Sequence, residues 1–503
     1  MRALGVRNGV VIVAVSALLP LGASAQDVVI TLEDSNMELR GEILSFDGES
    51  LTLASTIGTV SFPLSEITCE GVACPVIASD APGEYGVVLD PSLPTDMLMD
   101  LVTSFAASAG LSASPVDADG IEVATAGGDA ETFRLFSTSG TAVGAAAELS
   151  LVAGIGNAGG DATAARLIGR GALVILADES LELNAMSLEQ LAAIFSGQVS
   201  DWRELRRRAG PVVAHLREGD VADFEAVVLA PRGLTLGSNV RIVSNDTDMD
   251  GLLDETPGAV AMTGLAANRA TRVVGIAESC GLNHEATPFE VASGEYPLVQ
   301  HLRAERASAG DGLHPLFDHA LTPEGQEIVT RYGYAGIAAE AAEADRSRDW
   351  LGNALKFAEL ASLTGGADQS EEVGELAERL SEATRLSPTF RYAFASQVPD
   401  AVAMASFASL AGALGSGRYD GYEVVFAGFT GDATAQAQAQ AVTDAAAQRT
   451  LDRFRAEAPA VAARPGLSFV AAGFGTLAPR ACAETAFGDY LNARVEVWVR
   501  PTS

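Results

Sequence analysis

The spacing of apolar residues changes character three times along the 503-residue chain, and that succession restricts the fold more than any other feature. Residues 27–68 carry short alternating runs: Val28-Val-Ile-Thr-Leu, Glu38-Leu-Arg-Gly-Glu-Ile-Leu, Ser50-Leu-Thr-Leu and Gly58-Thr-Val-Ser-Phe-Pro-Leu. Turn residues such as Asp47-Gly48 separate them, which predicts a small all-β, barrel-like module. From about 84 to 335, apolar strands alternate with helical stretches, as in Tyr85–Leu89 then Thr95–Ala109, and Gly171–Ala177 then Ser187–Phe195. That alternation predicts an α/β domain with largely parallel sheets, long enough for two lobes. Residues 336–384 are rich in Ala and Glu and read as helices at Ala338–Ala344, Asp349–Leu363 and Glu371–Ala383, broken at Gly365-Gly366. The last segment opens on Thr389-Phe-Arg-Tyr-Ala-Phe. A helix at Asp400–Leu414, a strand at Tyr422–Ala427, a long helix at Ala433–Ala456 and strands at Leu467–Gly473 and Arg494–Arg500 follow, an α+β pattern. The expected division is 1–25 signal peptide, 26–79 β module, 80–335 two-lobe α/β domain, 336–385 helical connector and 386–503 α+β domain.

The first 25 residues read as a cleavable export signal: Arg2 and Arg7, an apolar run from Val10 to Leu21, then Ala23-Ser24-Ala25. The run is too short for a mature spanning helix, which needs about 20 apolar residues. No later stretch reads as one, because the Ala-rich segments are interrupted by charges and Gly. With 32 basic and 66 acidic residues, loss of Arg2 and Arg7 leaves 30 − 66 = −36. Such a charge argues against nucleic acid or an anionic membrane as a partner held by a general basic surface. Lys356 is the only Lys, so basic contacts fall to Arg, whose planar fork suits oxyanions. Cys69 and Cys74 lie in a turn-like stretch, where an exported protein is expected to form a local disulfide. Cys280 and Cys482 are either free buried thiols or a pair across two domains, and their spacing leaves both open. Enzyme motifs are absent: no His-Glu-x-x-His, no Gly-x-Ser-x-Gly and no Gly-x-x-x-x-Gly-Lys. The five His are scattered, and no metal site or cofactor is expected.

Ser187-Leu-Glu-Gln-Leu-Ala-Ala-Ile-Phe-Ser-Gly-Gln-Val-Ser-Asp-Trp202 is the strongest local signal, a capped helix followed by a turn. With Thr256-Pro-Gly-Ala-Val-Ala-Met, Gly294-Glu-Tyr-Pro-Leu, and Leu321-Thr-Pro-Glu-Gly-Gln-Glu-Ile-Val ahead of Tyr332-Gly-Tyr, it resembles the phosphate-type substrate-binding proteins of ABC transporters over about 84–335. The resemblance implies a type II periplasmic-binding-protein fold, two lobes around a ligand cleft, a small anion such as phosphate as ligand and an ABC permease as partner. The matching positions are Ser92 and Thr95 in the first loop, Ser139, Gly140 and Thr141 in the second, Glu148 where the family has Asp, and Arg217 at the binding Arg. The chain departs at Asp90, which would repel an anion, and in lacking the Ser-Gly-Thr expected after Arg217. Glu218 and Asp220 stand there instead, and pairing of Arg217 with either is the alternative to ligand binding.

The C-terminal part resembles the OmpA-like peptidoglycan-associating domain through Leu386-Ser-Pro-Thr-Phe-Arg-Tyr, Val424-Val-Phe-Ala-Gly-Phe-Thr430, Gly473-Phe-Gly, Pro479 and Asn492-Ala-Arg-Val-Glu-Val-Trp498. In that family an Asp and an Arg grip the diaminopimelate of peptidoglycan, a zwitterion that needs both charges. Here Gly431 occupies the Asp position, with Asp432 beside it, and Ala446 the Arg position, with Arg449 one turn later. Arg494 is the remaining basic residue of the pattern. Together the resemblances imply a periplasmic, non-enzymatic protein. It is either a solute-binding protein with an envelope-associating domain or an envelope interaction protein in which both sites are degenerate.

Overall fold

A computed structural model gives the fold. It describes residues 28–502 apart from 33–36, 47–49, 56–57, 64–66, 71–83, 118–119, 125–129, 138–148, 156–164, 209, 246, 266–272, 307–314, 344–351, 353, 357–358, 360–369, 392–400, 432–435 and 483–485. The signal-peptide segment and the 349–363 helix fall largely or wholly outside these residues. The chain forms two compact units: 1–91, 106–151 and 305–311, and 92–105, 152–304 and 312–503.

The first unit holds two sheets. β1 (Val28–Leu32), β2 (Met37–Phe46), β3 (Ser50–Ser55), β4 (Gly58–Pro63) and β5 (Ile67–Glu70) pair antiparallel in the order β4-β3-β2-β1-β5. Alternation places Ile30, Leu51, Leu53, Val60, Phe62 and Ile67 in one core. Gly41 is required where β2 meets β3, since a Cβ there would lie 2.0 Å from the Ala54 carbonyl oxygen. The second sheet comprises β6 (Glu84–Leu89), β7 (Ser112–Asp117), β8 (Gly120–Ala124), β9 (Ala130–Ser137) and β10 (Leu149–Ile155). β6 runs parallel to β9 and β10, whereas β7, β8 and β9 are antiparallel neighbours. The sheet is therefore mixed rather than largely parallel. Links of two and five residues at 118–119 and 125–129 can close hairpins but cannot make the crossover a parallel pair requires.

In the second unit, β11 (Ala165–Ala177) is the spine, buried at nearly every position. β12 (Ala185–Met186), β13 (Val213–Arg217), β14 (Val240–Val243), β15 (Ala259–Gly264), β16 (Val273–Ala277), β17 (Asn283–His284) and β18 (Val299–Arg306) complete this part. The order is β14-β13-β15-β11-β18, with β16 also on β11. β13 is parallel to both neighbours, so its C-terminal end, at Arg217, lies beside that of β15, at Gly264.

Helix α1 (Thr95–Ser108) precedes β7, and α2 (Leu188–Phe195) follows β12. α2 begins on the expected cap: the Ser187 hydroxyl accepts the Gln190 N–H at 3.1 Å, and the Gln190 side chain accepts the Ser187 N–H at 2.9 Å. Its inner face buries Leu191, Ile194 and Phe195, and Trp202 packs in the next turn with its indole N–H on the Gly258 carbonyl at 2.9 Å. Gly258 takes φ +78°, which suits glycine in the turn leading into β15. α3 (Pro288–Ser293) and α4 (Pro323–Arg331) start on Thr287 and Thr322 caps.

The same unit continues into an α+β domain. α5 (Ser370–Leu380) leads to β19 (Thr384–Arg391), α6 (Ala401–Gly415), β20 (Tyr422–Phe429), α7 (Gln436–Glu457), β21 (Leu467–Gly473) and β22 (Arg494–Pro501). The sheet order is β19-β22-β20-β21. On one face Phe390, Val424, Phe426, Val495 and Val497 pack on Phe407 and Leu410 of α6 and on Leu451 and Phe454 of α7. On the other, Val425, Ala427, Phe429 and Trp498 meet Val373, Leu376 and Leu380 of α5. Residues 338–343 are not helical as expected. Ala341 bridges Leu386, and the Ala342 and Ser387 amides bond to Arg385 and Glu340 carbonyls at 2.8 and 2.7 Å. Alanine's helix preference is a fraction of a kcal/mol per residue, so pairing with β19 overrides it.

Candidate functional site

Arg217 stands at the end of β13, where the chain tightens into one 3-10 turn, Glu218–Asp220. That turn carries the Asp220 carboxylate back over the guanidinium three residues earlier. Nε donates to Oδ2 at 2.6 Å and Nη2 to Oδ1 at 3.0 Å, a two-pronged pair in which Arg217 is 5 % and Asp220 0 % exposed. The Gly264 N–H adds a third donor to Oδ2 at 2.8 Å, and Nη2 also reaches the Ser92 carbonyl at 3.2 Å. A Cβ at 264 would lie 3.0 Å from Nη2, so glycine lets β15 approach the pair. Two residues earlier, His215 is buried with neither ring nitrogen hydrogen-bonded among the described residues. Burial, reinforced by the Arg241 charge, lowers its pKa and favours the neutral imidazole.

The structure thus brings Ser92 and Arg217 together, through the Ser92 backbone rather than its hydroxyl. Thr95 lies exposed at the start of α1. Ser139, Gly140, Thr141 and Glu148 lie outside the described residues, as does Asp432. The Cys69–Cys74 pairing falls there too, because Cys74 and the Cys69 side chain are not described.

A second charged cluster lies under the α+β sheet. Arg385 of β19 grips Glu295, just past α3, with Nη1 to Oε2 at 3.0 Å and Nη2 to Oε1 at 2.6 Å. Glu496 of β22 takes Arg494 Nε at 2.7 Å and Arg480 Nη2 at 3.2 Å on Oε1, and the Trp498 indole N–H at 2.9 Å on Oε2. Arg385 Nε is 3.3 Å from Glu496 Oε2, and Arg480 Nε is 3.3 Å from Glu295 Oε1. Arg494 also donates to the Ala478 carbonyl at 2.9 Å and lies 4.4 Å over the Phe429 ring. Three guanidiniums and two carboxylates therefore share one largely buried site, with Arg480 at its more exposed edge. Burial alone would raise both carboxyls. The guanidiniums outweigh it, holding Glu295 well below the usual range and Glu496 at about 2. Burial lowers Arg494 to about 10, with Glu496 opposing the change.

The structure accordingly places Arg494 among its neighbours, while Arg449 is exposed on α7. A Cβ at Gly431 would lie 2.9 Å from the Asn492 Cβ, so a side chain cannot stand there without displacing Asn492. Asn492 is itself committed, accepting the Arg480 and Ala481 amides at 2.6 and 3.1 Å. Sequence reasoning missed Glu295, Arg385, Arg480 and Glu496. The available signal was Arg494-x-Glu496, two charged positions on one face of a strand whose intervening positions are valines. Cys280 and Cys482, left open by the sequence, form a disulfide with Cα atoms 5.8 Å apart.

Among the described residues, no helix is long and apolar enough to cross a membrane. No family model matches the sequence, and no curated protein matches it. Several solved structures are similar to parts of it. PstS from Borrelia burgdorferi is 12% identical, covering 50% of this chain and 98% of that one at a TM-score of 0.37. An ABC-type phosphate transport receptor from Vibrio cholerae is 13% identical, covering 50% and 99% at a TM-score of 0.39. The periplasmic domain of Helicobacter pylori MotB is 17% identical, covering 25% and 78% at a TM-score of 0.20.

Proposed function

We propose that this chain is a non-enzymatic, periplasmic protein of the cell envelope that works through contacts with other envelope components. On this reading its α/β part is of phosphate-binding type, its C-terminal part is OmpA-like, and the anion cradle is filled by the protein's own carboxylate. The observation that carries the reading is the closure of Arg217. Two guanidinium donors and the Gly264 amide converge on Asp220, the donor set an oxyanion would need. An external phosphate would have to displace a carboxylate held at 2.6 Å by a neighbour in the same turn. In the C-terminal part, the Arg494 guanidinium is committed inside the protein, which supports a role other than a diaminopimelate grip of the usual kind.

The second reading, a phosphate-binding protein, is favoured by the same cradle if Asp220 swings aside. Calorimetric titration with phosphate separates the two. The first predicts no binding heat at millimolar phosphate for the wild type and measurable heat for Asp220→Gly, which vacates the cradle. Micromolar affinity in the wild type would overturn it.

A further inference from the structure

The Cys280–Cys482 disulfide joins two segments of the second unit that are 202 residues apart, and the proposed function makes no use of it. Its two cysteines sit in unlike surroundings. Cys280 is exposed, on the turn between β16 and β17, whereas Cys482 is buried. The Cys482 Sγ accepts the Cys280 N–H at 3.1 Å and faces the Ser279 hydroxyl at 3.7 Å. The acid nearest the pair, Glu278, is engaged on both oxygens: Oε2 takes the Cys482 N–H at 2.6 Å, and Oε1 lies 2.6 Å from His284 Nε2. Two donors thus converge on the Cys482 sulfur, the Glu278 carboxylate lies within 4.8 Å of both sulfurs, and Cys280 is the more exposed residue of the pair.

We propose that this disulfide is a thiol-exchange site of fixed polarity, with Cys280 as the sulfur attacked and Cys482 as the leaving group. The partner is a small or protein-borne thiol in its thiolate form. Its sulfur bonds to the Cys280 Sγ as the Cys280–Cys482 bond breaks, and the electron pair passes to the Cys482 Sγ. One disulfide forms as one is lost, with no further oxidant or reductant. The developing Cys482 thiolate is met by the Cys280 N–H and the Ser279 hydroxyl, and a better-stabilised thiolate leaves faster. The product is a mixed disulfide of the partner with Cys280 and a free thiolate on Cys482, and it releases the tie between the 278–284 segment and the loop at 482.

The test uses the full chain with Cys69 and Cys74 changed to Ser. The wild type serves if that variant does not fold, since the 280 and 482 peptides are read separately. After brief exposure to glutathione, acid quenching and alkylation with N-ethylmaleimide, mass mapping should find glutathione on Cys280 and the alkyl label on Cys482. The reverse product should be less abundant by about tenfold or more. Ser279→Ala should slow exchange by about two- to fivefold with the same product. A reversed or even product ratio, an unchanged rate in Ser279→Ala, or no exchange at glutathione levels that reduce the unfolded chain would overturn the proposal.

Discussion

Glu496→Ala is expected to destabilise the protein by about 3–5 kcal/mol, the cost of leaving buried guanidiniums without their counter-charge. Glu496 meets Arg385, Arg480 and Arg494 and also accepts the Trp498 indole, so its loss leaves three cations facing Glu295 alone. Arg480→Ala should be milder, because Arg480 is the most exposed of the three and two cations still balance two carboxylates. Denaturant unfolding followed by circular dichroism measures both. The pH dependence follows from the same site. Both carboxyls titrate lower in the folded chain than in the unfolded one, where an ordinary glutamate lies near 4.5. Their contribution is therefore whole above that value and is lost as pH falls toward about 2, with proton uptake on unfolding. Glu496→Gln should flatten this acid limb while leaving the neutral side of the profile in shape.

Arg217→Met is expected to have a comparable effect, about 3–5 kcal/mol, for the opposite charge. Asp220 has no exposed surface, and without the guanidinium it keeps one amide donor, from Gly264, among the contacts described for its carboxylate. The double variant Arg217→Met with Asp220→Leu should recover most of the loss, because removing both charges removes the desolvation penalty with them. A wild-type-like stability for Arg217→Met alone would mean that the pair is not closed in solution. These variants and the phosphate titration address the same residues by independent readouts.

Much of the architecture is legible in the sequence because periodicity and capping are local. Ser187 and Gln190 announce α2, and the alternating valines of 495–499 announce a strand with one apolar face. The hairpins among β7, β8 and β9 are set by link length, a signal that strand-by-strand reading passes over. The Ala338–Ala344 expectation failed because a distant strand, β19, supplied better partners for the backbone than a helix could. The candidate site was legible in one respect. The Arg217–Asp220 spacing is that of a single turn, and pairing was visible as an alternative, although not its burial. Glu295 was not legible, since its partners lie 90 residues or more away and only folding brings them within reach. Cys280 and Cys482 could not be paired from a separation of 202 residues for the same reason.

The Glu295–Arg385 pair and the Cys280–Cys482 bond tie the α/β part of the second unit to its C-terminal α+β part, so the two are expected to unfold as a single cooperative body. Amide hydrogen exchange by mass spectrometry, run through a denaturant series on the intact chain, tests it most directly. The amides of Ala259–Gly264 in β15 and of Arg494–Pro501 in β22 are the reporters. Both strands are expected to be released in one opening, with a common free energy and a common denaturant dependence. Release of β22 at distinctly lower denaturant, with β15 still protected, would contradict it.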